Sequence, residues 1–339
     1  MASILVTGAN GFIGTHLVET LLARNEPVAA LVRNPASAAR FERSAAQIVR
    51  GDVTDLESIR RAVAGRSAVF HLAGVTKTLR AKTFFEVNCR GVAHLARACA
   101  EQSAPPTLVV VSSLAAAGPT VDGRPREEAD KPQPISSYGR SKRAGEKAAE
   151  RYAAELPITI VRPSIVFGEG DRMSLEMFKT VARSGVHPLP GLAPRYYSMI
   201  HADDLVEILL LAAARGTRLA PRGAPAGDRG AGYYFAACDE HPSWHQLGRM
   251  LGKALGHRWT LPLPFATPIV RLVGLAGELA GQLRGRQVTM NLDKAREATA
   301  GSWVCSPNKA RRELGFSSNV PLANRLAQTA RWYRQAGWL

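Results

Sequence analysis

The run Ile4-Leu5-Val6-Thr7-Gly8-Ala9-Asn10-Gly11-Phe12-Ile13-Gly14 constrains the fold of this 339-residue chain more than any other stretch. It opens on aliphatic and β-branched residues that read as a buried strand. Glycines follow at 8, 11 and 14, and then Phe12, Ile13, Leu17, Val18, Leu21 and Leu22 recur at helical spacing. Strand, glycine turn and helix together aim free backbone N–H groups and a positive helix end at a pyrophosphate. Glycine serves the tight turn, the approach of backbone to phosphate, and close packing of helix on strand. Gly8, Asn10, Gly11, Phe12, Ile13 and Gly14 are therefore candidate ligand contacts.

Further strand candidates lie at 27–32, 47–50, 68–72, 107–111 and 158–161, separated by helical patterns at 56–64, 84–101 and 136 onward. This alternation predicts an α/β fold with a parallel, doubly wound sheet, and ligands beyond the carboxyl ends of its strands. The proline- and charge-rich loop 118–135 reads as part of a lid over that end. Past residue 163 the alternation weakens. The expected division is a dinucleotide-binding domain at 1–168, to which 196–216 returns, and a smaller discontinuous substrate lobe at 169–195 and 217–339. The stretch 215–232, rich in glycine, proline and arginine, reads as a flexible surface loop.

Thr7-Gly8-x-x-Gly11-x-x-Gly14 departs from the G-x-G-x-x-G fingerprint and resembles the loop of the extended short-chain dehydrogenases/reductases. That branch includes nucleotide-sugar epimerases and dehydratases, 3β-hydroxysteroid dehydrogenases and dihydroflavonol reductases. Other segments are similar to the same branch: Asp52-Val53, His71-Leu72-Ala73-Gly74, Val87-Asn88-x-x-Gly91, the turn 162–171, the segment 197–205 and the terminal helix 329–339. The resemblance implies that Asp52 and Val53 contact the adenine, and that Leu72, Ala73, Gly74, Pro163 and Ile165 line the cofactor cleft. It also implies a homodimer. His71, inside a strand, and His201 read as structural hydrogen-bonding residues, as does Asn88.

Tyr138-x-x-x-Lys142 places both side chains on one helix face. A free phenol has a pKa of roughly 10, and a nearby ammonium favours its ionised form. Such a tyrosine can give a proton to a carbonyl oxygen or take one from an alcohol. Ser113, at the end of the fifth strand, would hydrogen-bond the same oxygen. The three match the superfamily's Ser–Tyr–Lys set, in which Ser113 rather than Ser112 takes the catalytic place and Lys142 also holds the nicotinamide ribose. Where NAD-binding relatives carry an acid about 20 residues after the glycines, this chain has Arg33, with Arg40 beyond it. A guanidinium cannot accept bonds from a ribose 2′-OH but pairs well with a 2′-phosphate, so NADP(H) is favoured over NAD(H).

Mean hydropathy of −0.09 and a hydrophobic content of 46% suit a soluble globular protein. The opening residues enter a strand directly, so no signal peptide is expected, and the expected location is the cytoplasm. Cys89, Cys99, Cys238 and Cys305 form no C-x-x-C pair and read as packing residues in a reducing compartment. His241 and His245 are spaced i,i+4 but lack a third ligand, and no metal is expected. The net charge of +16 comes from 35 Arg and 9 Lys against 28 acids, spread without a block. It reads as a solvated surface or as attraction to anionic lipid; no nucleic-acid-binding pattern accompanies it.

Residues 269–283 form an apolar helical pattern with Arg271, Glu278 and Gln282 opposite, followed by Arg284 and Arg286. It reads as a helix covering the substrate lobe, with weak peripheral contact at the inner membrane face as the alternative. Thr76, Ser113, Ser164, Phe167, Met173 and Met199 are candidate substrate contacts. The function expected is ketone–alcohol interconversion on a bulky lipophilic molecule, a sterol, a steroid or a long-chain 3-oxo lipid. The alternative is a nucleotide-sugar epimerase or dehydratase that retains NAD.

Overall fold

A computed structural model of the chain describes residues 3–41, 44–221, 223, 230–285, 288 and 290–339. The first half alternates as β1 (Ile4–Thr7), α1 (Phe12–Ala23), β2 (Val28–Val32), β3 (Gln47–Arg50), α2 (Leu56–Val63) and β4 (Ala68–His71). Then come α3 (Ala81–Phe85), a π-helical turn (Glu86–Arg90), α4 (Gly91–Ala100), β5 (Thr107–Val111), α5 (Leu114–Ala117), α6 (Ser137–Glu150) and β6 (Ile158–Pro163). The second half runs through β7 (Ile165–Phe167), α7 (Arg172–Ser184), β8 (Val186–Pro190), β9 (Met199–His201), α8 (Ala202–Arg215) and β10 (Tyr233–Ala236). It ends with α9 (Trp244–Ala254), β11 (Leu261–Phe265), α10 (Thr267–Arg284), α11 (Leu292–Thr299), α12 (Asn308–Leu314) and α13 (Leu322–Gln335).

The strands form one seven-stranded parallel sheet in the order β10-β6-β5-β4-β1-β2-β3. Val28 to Val32 are buried throughout, as are Leu108 to Val111, because helices cover both faces of a parallel sheet. Leu17, Val18 and Leu21 of α1 pack on one face with Leu205, Ile208 and Leu209 of α8. Ile59, Leu95, Ala96 and Ala149 of α2, α4 and α6 cover the other. β10, drawn from the span 217–339, joins the central sheet beside β6. The second lobe has its own core, in which Phe178 of α7, Leu247 and Leu251 of α9, and Leu326 and Tyr333 of α13 meet.

Three local readings change in the folded chain. The loop 118–135 is a pinned strap, not a lid. Arg126, buried, donates to the carbonyls of Pro119 (2.8 Å) and Lys131 (3.2 Å), and Glu128 accepts from Phe235 N–H (2.9 Å). Proline and charge mark loops, but here two of the charges, Arg126 and Glu128, are buried and bonded inside the protein. The stretch 215–232 is anchored where described: Leu219 is buried and its N–H bonds the Ile158 carbonyl at 2.8 Å, while residues 222 and 224–229 lie outside the described residues. Helix α10 covers the lobe with its glycines and turns its leucines outward; Arg286 lies outside the described residues. No helix among the described residues is long and apolar enough to cross a membrane.

Candidate active site

β1 ends at a loop where only glycine fits. Gly8 has φ +67°, and a Cβ there would stand 2.7 Å from Ala73 N; at Gly14 it would stand 2.1 Å from the Gly8 carbonyl oxygen. Helix α1 starts at Phe12 with Gly11 as its cap, so no side chain occupies the N–H groups of its first turn. Backbone close enough to exclude a methyl group, facing an uncapped helix end, fits a dinucleotide pyrophosphate.

The neighbouring candidates converge on this cradle. Asn10 donates to Ser37 Oγ (2.7 Å) and Arg40 to Thr15 Oγ1 (2.9 Å), so the segment after β2 folds over the start of α1. Arg33, at the end of β2, is exposed and has no hydrogen-bond or ion-pair partner among the described residues. Asp52 accepts from Thr54 N–H (2.9 Å) and Thr54 Oγ1 (2.8 Å), and Val53 is buried against Gly91. Leu72, Ala73 and Gly74 follow β4, where Thr7 Oγ1 accepts from Ala73 N–H (3.2 Å). Thr7 also bonds His71 Nδ1 at 2.8 Å; burial, with Lys142 nearby, lowers this histidine to about 3, so it stays neutral. Pro163 closes β6, and Ile165, half-buried, opens β7.

Ser113 caps α5, accepting from Ala115 N–H (3.1 Å), and its hydroxyl faces the Tyr138 phenol. The approach is enforced by Gly139, where a Cβ would lie 2.3 Å from the Ala115 carbonyl oxygen. Ser112 points the other way, into a buried network in which Glu146 accepts from Ser112 Oγ (2.6 Å) and twice from Arg162 (2.8 Å each). That network locks α6 to β5 and β6; burial pushes the Glu146 carboxyl up, but Arg162, Arg143 and Ser112 together keep it below its usual range. One turn on, Lys142 Nζ donates to the Val111 carbonyl at 2.7 Å and lies at the edge of Gly74. Burial lowers Lys142 to about 8. Asn88, in the π-helical turn, bonds both backbone groups of Val75 (2.8 and 2.9 Å) and Ser141 Oγ (3.0 Å), a structural clamp on the loop after β4.

Tyr138 departs from expectation. Burial pushes its phenol up to about 12, the Ser113 hydroxyl beside it works against that, and Glu297 adds to the rise. The Lys142 ammonium is engaged by the Val111 carbonyl at 2.7 Å. Glu297 belongs to α11, which sits across the start of α6. Ser136 Oγ donates to Glu297 (2.6 Å), Ser137 N–H to Asp293 (2.7 Å), and Lys294 Nζ lies 5.5 Å from the Tyr138 ring centroid. Sequence reasoning missed these three residues. A charged helix with i,i+3 pairs reads as solvated surface, and nothing local tells it apart.

Between the loop after β4, the start of α6, and α10–α11 lies a cavity of about 180 Å³, lined in part by Lys77, Leu79, Phe84, Ser137, Glu278 and Arg296. Of the substrate candidates, Thr76 is exposed in the bordering loop and Ser113 faces Tyr138. Ser164 is consumed by the Ala236 carbonyl (3.0 Å), and Met173 is exposed on α7. Phe167 and Met199 have to be corrected: both are fully buried in the second lobe's core and offer a ligand no surface. Their apolar character was needed for packing. His201 is likewise structural in position, with Nε2 3.0 Å from Glu169 and Nδ1 capping α8.

Glu169, His201 and Asp203 each bring a ligand-type atom within 4.8 Å of the others, and ion-pair contacts link them to one another and to neighbouring elements. His16 Nδ1 meets Asp203 (2.9 Å), His201 Nε2 meets Glu169 (3.0 Å), and Arg325 pairs with Asp203 (3.5 Å) and Asp204. This is a latch between α1, the turn after β7, α8 and α13. His241 bonds Ser198 Oγ (3.0 Å) and forms no such group with His245.

Fold and crevice together define an NAD(P)-dependent enzyme of the extended short-chain dehydrogenase/reductase class. The chain belongs to the NAD dependent epimerase/dehydratase family, whose model matches residues 4–223. Among its relatives, the ceramide reductase of Caulobacter vibrioides is 30% identical over 338 residues, 99% of this chain and 96% of that one. The sterol demethylase protein B of Methylococcus capsulatus is 28% identical over 347 residues, 99% of each chain. In fold, the chain is similar to the dTDP-glucose 4,6-dehydratase DesIV of Streptomyces venezuelae, solved with NAD and TYD bound (TM-score 0.75, 24% identity, covering 99% and 98% of the two chains).

Proposed function

We propose that the chain is an NADP(H)-dependent oxidoreductase that interconverts a ketone and a secondary alcohol on a bulky lipophilic substrate, a sterol, a steroid or a long-chain 3-oxo lipid. The observation that carries this reading is the convergence of Ser113, Tyr138 and Lys142 next to the glycine cradle, with Lys142 Nζ at the edge of Gly74. When bound, the nicotinamide supplies or accepts the hydride. Gly8, Gly11 and Gly14 hold the pyrophosphate, Asp52 and Val53 the adenine, and Lys142 the ribose. Tyr138 is the acid and base: its O–H gives a proton to the carbonyl oxygen in reduction and its phenolate takes one from the alcohol in oxidation. A phenol held at about 12 stays protonated at neutral pH, which suits reduction. Ser113 releases the phenol, donates to the substrate oxygen and steadies charge growing on it. Thr76 borders the substrate, and residues 169–195 with 217–339 supply most of the remaining walls.

Two relatives whose names concern a ceramide and a sterol support the lipophilic class. Arg33, exposed and without a partner among the described residues, supports NADP(H): Arg33→Ala is expected to weaken NADPH about tenfold or more while leaving NADH nearly unchanged, the scale of one charge-assisted contact. The working location is the cytoplasm, with the protein touching the inner membrane face, and the working assembly is a homodimer.

The second reading is a nucleotide-sugar epimerase or dehydratase that retains NAD. The likeness to DesIV and the two cations at the cavity, Lys77 and Arg296, favour it. Incubation with NADPH and a panel of ketosteroids, 3-oxo lipids and UDP-sugars separates the two. NADPH consumption with a lipid ketone is expected. Conversion of UDP-sugars alone, with NADH bound more tightly than NADPH, replaces the first reading by the second.

A further inference from the structure

We propose that the outer face of α10, together with β11, is a docking surface for an anionic lipid bilayer, and that the α10–α11 hairpin is the passage from that bilayer to the cavity. This rests on the lipophilic-substrate reading. Ile269, Leu272, Val273, Leu275, Leu279 and Leu283 all stand exposed on α10, Leu272 at 64% and Leu283 at 87%. Such a contiguous apolar face is far more than scattered surface leucines. Leu261 and Leu263, alternate residues on one side of β11, and Trp259, 72% exposed, add apolar surface on the segment that leads into α10. Gly191 N–H bonds the Phe265 carbonyl at 2.8 Å, which brings Leu192, 77% exposed, beside the start of α10.

The helix cannot roll to hide this face. Its inner side is Val270, Gly274, Gly277 and Gly281, against which α11 and the residues before it lie. A Cβ at Gly274 would come 2.7 Å from Ala295 Cβ, and one at Gly277 would come 2.1 Å from the Met290 carbonyl oxygen. Only glycine fits there, so the leucines are held outward.

Charge selects the occupant. Arg258, Arg271 and Arg284 are exposed around the patch with no partner among the described residues. Glu278, the one acid on α10, is turned inward to Leu292 N–H (3.3 Å). An apolar face rimmed by arginines, on a chain of net charge +16, matches the interface of an anionic leaflet, and Trp259 suits its headgroup level. At 18 residues with two arginines and a glutamate, α10 lies along a bilayer and does not cross it.

The hairpin also connects the surface to the site. Glu278 and Gln282 of α10 and Leu292, Asp293 and Arg296 of α11 line the cavity. Glu297 of the same helix holds Ser136, the cap of the helix bearing Tyr138. A lipid lifted out of the leaflet would pass the apolar rim and present its polar end to this roof.

Flotation at low salt, with vesicles of phosphatidylcholine plus phosphatidylglycerol and of phosphatidylcholine alone, tests the proposal. Binding to the mixed vesicles is expected, weaker binding to the neutral ones, and a loss of about tenfold or more in the Leu272→Asp/Leu279→Asp variant. That variant should keep wild-type NADPH binding and wild-type turnover of a short water-soluble ketone. Protein that stays in the soluble fraction with mixed vesicles, yet reduces a lipid ketone in detergent, overturns the docking surface and leaves the activity standing. Binding to vesicles without reduction of any lipid ketone does the reverse. A dimer in light scattering that the same substitutions dissociate, with no vesicle binding, assigns the face to a second copy of this chain and overturns the proposal.

Discussion

Helix α1 buries Leu17, Val18 and Leu21 completely against the sheet, whereas α10 turns Leu272, Leu279 and Leu283 to the outside and packs through glycines. Both carry apolar residues at helical spacing. They differ in what lies opposite. A seven-stranded sheet offers α1 an apolar surface wide enough to cover whole leucines. The eight-residue α11 offers α10 only a strip that glycines can approach closely. Helix α1 is tied further by His16, whose two ring nitrogens meet Asp203 (2.9 Å) and the Glu169 carbonyl (2.8 Å). Apolar periodicity therefore marks a face that must avoid water, and the partner that covers it is a separate matter.

If chemistry belongs to the crevice in front of α1 and not to the hairpin, Tyr138→Phe should cost the most. We expect kcat to fall about 10²- to 10⁴-fold, with NADPH affinity changed by no more than about twofold, in steady-state assays and fluorescence titration. Retained turnover would remove Tyr138 from the mechanism.

Stability should sharpen the contrast next. Leu17→Ala leaves a cavity in a closed core and should cost about 2–5 kcal/mol in denaturant unfolding. Leu283→Ala should fall within about 0.5 kcal/mol of wild type. Equal costs would mean that the outer face of α10 is covered within the folded chain.

The latch on α1 should give a smaller, pH-dependent effect. Hydrogen bonds from His16 and His201 hold the Asp203 carboxyl well below its ordinary 3.8, and despite burial His201 keeps Glu169 below 4.5. Their stabilisation is present above those ordinary values and fades as pH falls through the depressed ones. Burial opposes charge on His16 and His201, but their acidic partners raise both above 6.5. That share is complete below pH 6.5 and fades as pH rises through the raised values. The latch is therefore strongest between pH 4.5 and 6.5. Asp203→Asn should lower stability there by about 1 kcal/mol, a modest figure because the side chain is partly solvated, and should flatten the dependence of Tm on pH. An unchanged Tm–pH curve would show that the latch carries no net energy.

The smallest effect expected lies where the two regions touch. Glu297 helps raise Tyr138, so Glu297→Gln should shift the alkaline limb of kcat/KM slightly towards lower pH. An unmoved limb would mean that solvent or substrate screens α11 from the phenol.

Much of the sheet half was legible because its signals are short-range. The observed strands at Ile4–Thr7, Gln47–Arg50 and Thr107–Val111 coincide with the apolar runs that announced them, and the glycine loop precedes α1 as its spacing required. Ser113 and Tyr138 lie on neighbouring elements at fixed offsets from those signals, and they meet. Phe167 and Met199 were misread because an apolar side chain looks the same whether it meets a ligand or a core.

By itself the sequence determined the parallel sheet, the cradle that only glycine can form and the helix carrying Tyr138 and Lys142, since each depends on residues a few positions apart. Tertiary structure alone decided that β10 completes the sheet, that Lys142 turns to Val111, that Glu297 reaches Ser136 across 161 residues, and that α10 shows its leucines to the outside. Those outcomes are set by the space left between distant elements once each has formed, and no local spacing encodes that space.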